Sequence, residues 1–229
     1  MKYIIVGLGN FGASLAEKLS SLGNEVIGVD VSMPRIESLK NKITHVISLD
    51  ATDKDAVMSL PYKDADTTII AIGEDPGASI LATAVMQQLH VKRLISRAIS
   101  PLQQLVLEAM GVREIIHPEE ETADRWSMKL NMPGVYDSFE LNPQHNVVEV
   151  EVPSAFDGKS LQELSLRKNY NLIVLTTMKY IKEKNKLGIE TSQIDVQDLA
   201  SAKTVLHEGD LMVVYGHTKN IKKLIKSFS

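Results

Sequence analysis

Apolar residues arrive along the first half of the chain in short unbroken runs separated by stretches of helical spacing. Tyr3–Val6, Val26–Val29, Val46–Leu49, Thr67–Ile72, Leu94–Ser96 and Glu114–Ile116 read as strands. Between them Ala13–Leu22, Ile36–Leu39, Ala56–Leu60, Ala78–Leu89 and Leu102–Met110 read as helices, the first with apolar residues at 15, 16, 19 and 22. Strands that alternate with helices predict right-handed βαβ crossovers and a parallel sheet. The runs do not alternate polar with apolar, as expected for a sheet covered on both faces. The pattern therefore predicts an α/β fold, a Rossmann-like doubly wound parallel sheet.

After Ile116 the rhythm changes. Pro118 suits the first turn of a helix, and Glu119, Glu120 and Glu121 suit its positive end. That helix is expected to reach Leu130, where Asn131-Met132-Pro133-Gly134 breaks it. The domain boundary is placed there, giving 1–133 and 134–229. In the second part Val147–Val152 alternates Val with Glu, a strand with one wet face. Leu161–Leu166 is a helical turn or two, Leu172–Thr176 and Leu211–Tyr215 are strands, and Lys219–Phe228 is a basic amphipathic helix. Asp157-Gly158 and Glu208-Gly209-Asp210 signal turns. This predicts a small α+β domain. Residues 179–203 are polar and Lys-rich and read as a hairpin excursion or a mobile loop.

Composition narrows the picture. The 229 residues are 44% hydrophobic and 24% charged, ordinary for a globular chain. The net charge of −4 argues against retention on nucleic acid by bulk charge. There are no cysteines, which excludes disulfides, thiolate metal sites and a Cys nucleophile. The apolar run at the start is too short for a signal peptide or a membrane span, so a cytoplasmic location is expected.

The chemistry concentrates at strand ends. Gly7-Leu8-Gly9-Asn10-Phe11-Gly12 is a G-x-G-x-x-G that follows a strand, opens a helix and stands in a βαβ unit. Asp30 closes the second strand, eighteen residues past Gly12. Gly7 permits the tight turn, Gly9 lets a pyrophosphate approach, Gly12 lets helix and strand pack, and Asp30 can accept from ribose hydroxyls. With no arginine after Asp30 until Arg35, NADP is disfavoured. Four other positions carry two readings each. Asp50, beside Ala51, reaches an adenine amino group, or Thr52 or Asp53 simply caps the next helix. Gly73, after Ile72, makes space for a ring or phosphate, or is a plain turn. Arg97 meets phosphate, or forms a surface ion pair. Glu119 is a metal ligand or partner contact, or an acid that favours a helix start. His90 and His145 stand alone and read as surface polar residues; Trp126, Met128 and Met132 read as packing. No catalytic constellation is evident: there is no His–Asp or Lys/Tyr pair, no nucleophile elbow, no HExxH and no Walker A.

The strings VGLGNFGASLAEKLSSLGNEVIGVD, LDATD, AIG and IIHPEEETA together resemble the RCK family, regulators of potassium conductance, and the whole chain is similar to its Ktr- and Trk-type gating subunits. The resemblance implies a non-enzymatic regulatory subunit, cytoplasmic and peripheral to the inner face of the membrane. It implies a homodimer in which the helix after His117-Pro118-Glu119 crosses to the partner, and four dimers in an octameric ring beneath a potassium channel or transporter subunit. It implies an adenine nucleotide, ATP and ADP or NAD and NADH. Gly7, Gly9 and Gly12 would hold phosphates within the loop that includes Asn10 and Phe11. Asp30 would hold ribose, Asp50-Ala51 and Ile72-Gly73 would border base and sugar, and Arg97 would face phosphate. Glu119 would sit near a divalent cation such as Mg2+ or near the partner's nucleotide. Leu161, Leu166 and Arg167 match a segment that binds cyclic di-AMP in some members, although the neighbouring residues differ.

Two departures stand out. ATP-sensing members often carry arginine where this chain has Asn10. Loss of that charge-assisted contact, about 1.5–3 kcal/mol, weakens discrimination of ATP from ADP or NAD. Residues 179–203 are also longer than the usual hairpin. The alternative function is a small NAD-dependent dehydrogenase or reductase. A redox-sensing repressor would need a winged helix and a basic face, and neither is seen.

Overall fold

The computed structural model describes residues 1–184 and 190–227. The chain divides into two compact units, Met1–Glu120 and Glu121–Ser229. The boundary expected from sequence, at 133/134, lies near the far end of the helix that starts in one unit and continues into the other, Pro118–Asn131.

The first unit alternates strand and helix: β1 (Lys2–Val6), α1 (Asn10–Ser21), β2 (Glu25–Asp30), α2 (Met33–Leu39), β3 (His45–Ser48), α3 (Lys54–Val57), β4 (Thr67–Ile70), α4 (Pro76–Gln88), β5 (Leu94–Arg97), α5 (Pro101–Ala109) and β6 (Glu114–Ile116), followed by α6 (Pro118–Asn131). The strands form one sheet in the order β3-β2-β1-β4-β5-β6, every pair parallel. This is the doubly wound Rossmann order, with its switch point between β1 and β4. Successive residues of β1 explain the unbroken apolar run. Ile4 and Val6 pack with Val57 of α3 and Met86 of α4, while Ile5 packs with Ala16 of α1 and Leu39 of α2. Both faces are covered, so no position needs to be polar.

Three helices of the first unit begin on a side-chain cap. Asp53, Asp75 and Ser100 accept backbone N–H bonds at the starts of α3, α4 and α5. Each relieves the unpaired donors of a first turn, and capping of this kind contributes about 1 kcal/mol.

The second unit contains β7 (Val135–Asn142), β8 (His145–Glu151), α7 (Leu161–Leu164), α8 (Leu166–Tyr170), β9 (Leu172–Lys184), β10 (Glu190–Leu199), β11 (Leu211–His217) and α9 (Thr218–Lys226). Its sheet is antiparallel, in the order β10-β9-β11-β8-β7. One core fills one face: Val148 and Val150 of β8, Val214 of β11 and Ile221 and Leu224 of α9 are buried together. The Val/Glu alternation of β8 thus reads as expected, with Val148 and Val150 inside.

Several boundaries differ from the sequence pattern. β7 was not anticipated, because Tyr136-Asp137-Ser138-Phe139-Glu140 runs along an exposed sheet edge and carries no apolar period. Of the two readings of the polar stretch 179–203, the hairpin agrees with the structure: β9 continues to Lys184 and pairs antiparallel with β10. The connecting residues 185–189 lie outside the described residues, as does Phe228, which the sequence placed in the last helix. The turn read at Leu161–Leu166 is two short helices separated by Ser165, whose φ of 48° lies in the left-handed region.

Candidate functional site: the cleft at the sheet's switch point

β1 ends at Val6, and the chain turns back at once. Gly7 takes φ +93° and donates its N–H to the Val29 carbonyl at 2.8 Å. A Cβ on Gly7 would stand 2.8 Å from the Ile72 nitrogen. A Cβ on Gly12 would stand 1.9 Å from the Gly7 carbonyl oxygen. Both glycines are therefore required by the fold itself. Gly9 is different: its φ is −68°, and a Cβ there meets nothing within 4 Å. It is the N-cap of α1, offers no side chain to that helix's first turn, and lines the cleft. The start of this twelve-residue helix thus presents backbone donors without a side-chain cap.

The cleft has a volume of about 420 Å3. It is lined from the glycine loop (Gly7, Gly9, Asn10, Phe11), from the end of β2 (Asp30), from the segment after β3 (Asp50, Ala51), from the segment after β4 (Ile72, Gly73), and by Arg97 and Glu119. Of the residues proposed from sequence for the first half, all but Gly12 lie on this one surface; Gly12 is buried behind the loop, where α1 packs against it.

Asp30 is buried. Its Oδ2 accepts the Leu8 N–H at 2.7 Å and its Oδ1 accepts the Ser32 N–H at 2.8 Å. The Arg35 Nη1 lies 3.5 Å from Oδ2, and the Arg35 Nη2 reaches both carboxylate oxygens of Glu74 at 2.6 and 2.7 Å. The bond to Glu74, with the nearby Asp30 charge, holds the Arg35 guanidinium above its ordinary pKa against the opposing effect of burial. Arg35 and Glu74 lie 39 residues apart, and sequence reasoning gave Glu74 no role. The one available signal was its position just beyond Ile72-Gly73 at a strand end by the switch point.

The structure gives each position with a paired reading its local partners. Asp50 Oδ1 accepts the Thr52 N–H at 2.9 Å and the Thr52 hydroxyl at 2.7 Å, which holds its carboxyl below the usual carboxylate range. The cap of α3 is Asp53, through Asp55 and Ala56 N–H at 2.9 and 3.3 Å. Gly73 makes room for an arginine: a Cβ there would lie 2.6 Å from the Arg97 guanidinium carbon. Arg97 donates from Nη1 to the Ala71 carbonyl at 3.2 Å, pairs through Nη2 with Glu119, and lies 5.6 Å from the Phe11 ring centroid. The ion pair expected as one of its two readings is present: the guanidinium is mostly buried and its partner Glu119 is exposed. Among the described residues no three His, Cys, Asp or Glu side chains form a metal-ligand set, and the Glu119 carboxylate has a guanidinium as its neighbour.

In the second unit the three residues singled out do not share one surface. Leu166 is buried in the core and Leu161 packs against it, whereas Arg167 lines an open hollow of about 390 Å3 with His145 and His217. Met132 is buried in the same core and Met128 packs on it. Trp126 instead lines a groove of about 790 Å3 between α6 and β7.

A TrkA-N domain model matches residues 3–118, half of the chain. The chain belongs to the TrkA-N family. This TrkA-N chain is 30% identical over 226 residues to Ktr system potassium uptake protein A of Vibrio alginolyticus, covering 99% of this chain and 97% of that protein. It is 29% identical over 225 residues to Ktr system potassium uptake protein C of Bacillus subtilis (strain 168), covering 98% and 96%. Among solved structures it is similar to the GsuK RCK domain, with TM-score 0.64 and 16% identity over all of this chain and 47% of that one. It is also similar to the GsuK channel bound to NAD, with TM-score 0.61 and 17% identity over 96% of this chain and 38% of that one. These likenesses establish the RCK fold for the TrkA-N chain, which spans less than half of either GsuK chain. Among the described residues no helix is long and apolar enough to cross a membrane.

Proposed function

We propose that this chain is a regulatory subunit of a potassium uptake system, controlled by an adenine nucleotide in the switch-point cleft. The observation that carries the nucleotide reading is Gly9. The fold tolerates a side chain there, so the glycine serves whatever approaches the uncapped start of α1. In this reading Gly7, Gly9, Asn10, Phe11 and Gly12 surround the phosphates. Asp30 accepts from ribose, Asp50, Ala51, Ile72 and Gly73 border the sugar and base, and Arg97 stands at the phosphate side. The near full-length likeness to the two Ktr system proteins supports the potassium uptake role.

The charge of the cleft bears on which nucleotide it takes. Its lining carries five carboxylates (Asp30, Asp50, Glu74, Asp75, Glu119) against two guanidinium groups, both of them paired. Such a lining favours a ligand with modest phosphate charge, NAD, NADH or ADP, over ATP. A divalent cation at Glu119 would compete with Arg97, and the reading does not require one. The lining holds no His, Lys or Tyr, which supports regulation rather than hydride transfer assisted by a proton donor.

The RCK resemblance carries the rest: residues 1–133 as the nucleotide-binding half with its crossover helix, 134–229 as the C-terminal half, and a homodimer assembling into an octameric ring on the cytoplasmic side of a membrane potassium transporter. The nucleotide shifts the ring only as far as it binds one shape better than the other. For the second half the resemblance points to cyclic di-AMP at the Arg167 surface. Calorimetric titration with ATP, ADP, NAD, NADH and cyclic di-AMP, with and without Mg2+, tests the whole reading. Binding of one adenine nucleotide that Gly9→Glu abolishes supports it.

A further inference from the structure

Asp30 and Arg35 sit side by side where the ribose of a dinucleotide is recognised, and the two point to opposite preferences. A carboxylate at the end of β2 selects a free 2′-hydroxyl, whereas an arginine nearby accommodates a 2′-phosphate. What decides between them is the state of the arginine. Here one Nη of Arg35 is held by both oxygens of Glu74 at 2.6 and 2.7 Å, and the other stands 3.5 Å from Asp30. The guanidinium is shared between two carboxylates, so the group of three carries a net negative charge.

We infer that Glu74 is a specificity-determining residue: by holding Arg35, it makes the cleft select an adenine nucleotide with an unphosphorylated ribose. The inference rests on the nucleotide reading of the cleft. Glu74 is well placed for the task. Its neighbour Asp75 caps α4 by accepting the Ala78 N–H at 2.9 Å, which anchors the segment. Its own side chain is 77% exposed, so the contact with Arg35 is the only hydrogen-bonded partner it has among the described residues, and no part of the core depends on it. A phosphate beside Asp30 would meet two carboxylates and an arginine already engaged. With glutamine at 74 the same phosphate would meet one carboxylate and an arginine free to form a charge-assisted pair.

The test is calorimetric titration of the full chain with NAD, NADP, AMP and adenosine 2′,5′-bisphosphate. Wild type is expected to prefer NAD and AMP over their 2′-phosphorylated counterparts. Glu74→Gln is expected to narrow each preference about tenfold, and adding Arg35→Ala is expected to restore it. Glu74→Ser, which also lacks the charge, serves as a second variant, and thermal unfolding checks that each variant folds. If wild type binds NAD or AMP and the ratios stay unchanged in both Glu74 variants, Glu74 does not set the specificity and the cleft reading survives. An equal affinity of wild type for the two ligand classes also overturns the inference. If wild type binds none of the four, the inference falls; the cleft reading falls with it only if ATP, ADP and NADH also fail to bind.

Discussion

The Leu8 N–H donates to the buried carboxylate of Asp30 at 2.7 Å, fastening the glycine loop to the end of β2. The residue that sequence reasoning gave to the ribose is therefore also part of the loop's own structure. Substituting Asp30 by Ala leaves the Leu8 and Ser32 N–H groups without their acceptor. An unpaired buried donor costs about 1–3 kcal/mol. Asp30→Ala is expected to lose nucleotide affinity and also to unfold at lower denaturant, by about that amount. Equal stability of the variant and wild type would show that the carboxylate does not hold the loop.

Gly9 and Gly12 separate cleanly by experiment. Gly9→Ala and Gly9→Glu are expected to fold with wild-type thermal stability, because nothing stands within 4 Å of the added Cβ. Gly12→Ala forces a carbon to 1.9 Å from a backbone oxygen, so loop and helix must move apart. Overpacking costs about 1–3 kcal/mol, and a backbone neighbour puts this case at the upper end or beyond. Chemical denaturation of the two alanine variants side by side distinguishes them, and equal midpoints would contradict the geometry.

Gly73 and Arg97 are linked in the same manner. A Cβ at 73 occupies the space of the guanidinium, so Gly73→Ala is expected to displace Arg97 from Glu119 and to mimic Arg97→Ala in nucleotide affinity. The double variant should be no worse than either single one. Additive losses would mean that the two residues act separately.

The second unit gives a pH prediction. Burial, reinforced by the nearby Asp137 charge, holds the Glu149 carboxyl above its ordinary pKa of 4.5. Its folded pKa exceeds its unfolded one, so the ionised form is disfavoured on folding, and stability falls as pH rises through that interval. Glu149→Gln is expected to raise the thermal midpoint at neutral pH and to leave it unchanged well below pH 4.5. Asp137 behaves oppositely. The Arg125 side chain holds its carboxyl below 3.8, so its contribution is present above that value and lost as pH falls through the folded pKa. Asp137→Asn should cost stability at neutral pH and flatten the loss in acid.

How much the sequence revealed depended on where each residue's partners lie. The β1-α1-β2 unit was legible because each of its constraints is local: an apolar run buried on both faces, and glycines spaced by a turn. The cleft's residues were legible because strand ends of a parallel sheet converge on one edge. β7 was not, and β10 only as one of two readings, since beyond Val135 and from Gln193 onward their side chains are exposed or half-buried along sheet edges and their strand character comes from pairing with β8 and β9. The pattern offers Gly73 as room for a ring or phosphate or as a plain turn, and shows nothing of the Arg97 guanidinium beside it, which the fold alone brings close. Glu74 was invisible for the same reason, its partner being Arg35 across the cleft mouth.

The central claim is that the switch-point cleft binds an adenine nucleotide as a signal and leaves it unchanged. Calorimetric titration of the full chain and of Gly9→Glu with NAD, NADH, ADP and ATP, with the recovered nucleotide assayed afterwards, addresses it most directly. The account predicts saturable binding of at least one nucleotide by the wild type, none by a folded Gly9→Glu, and recovery of the ligand intact. Absence of binding by the wild type, or undiminished binding by Gly9→Glu, would contradict it.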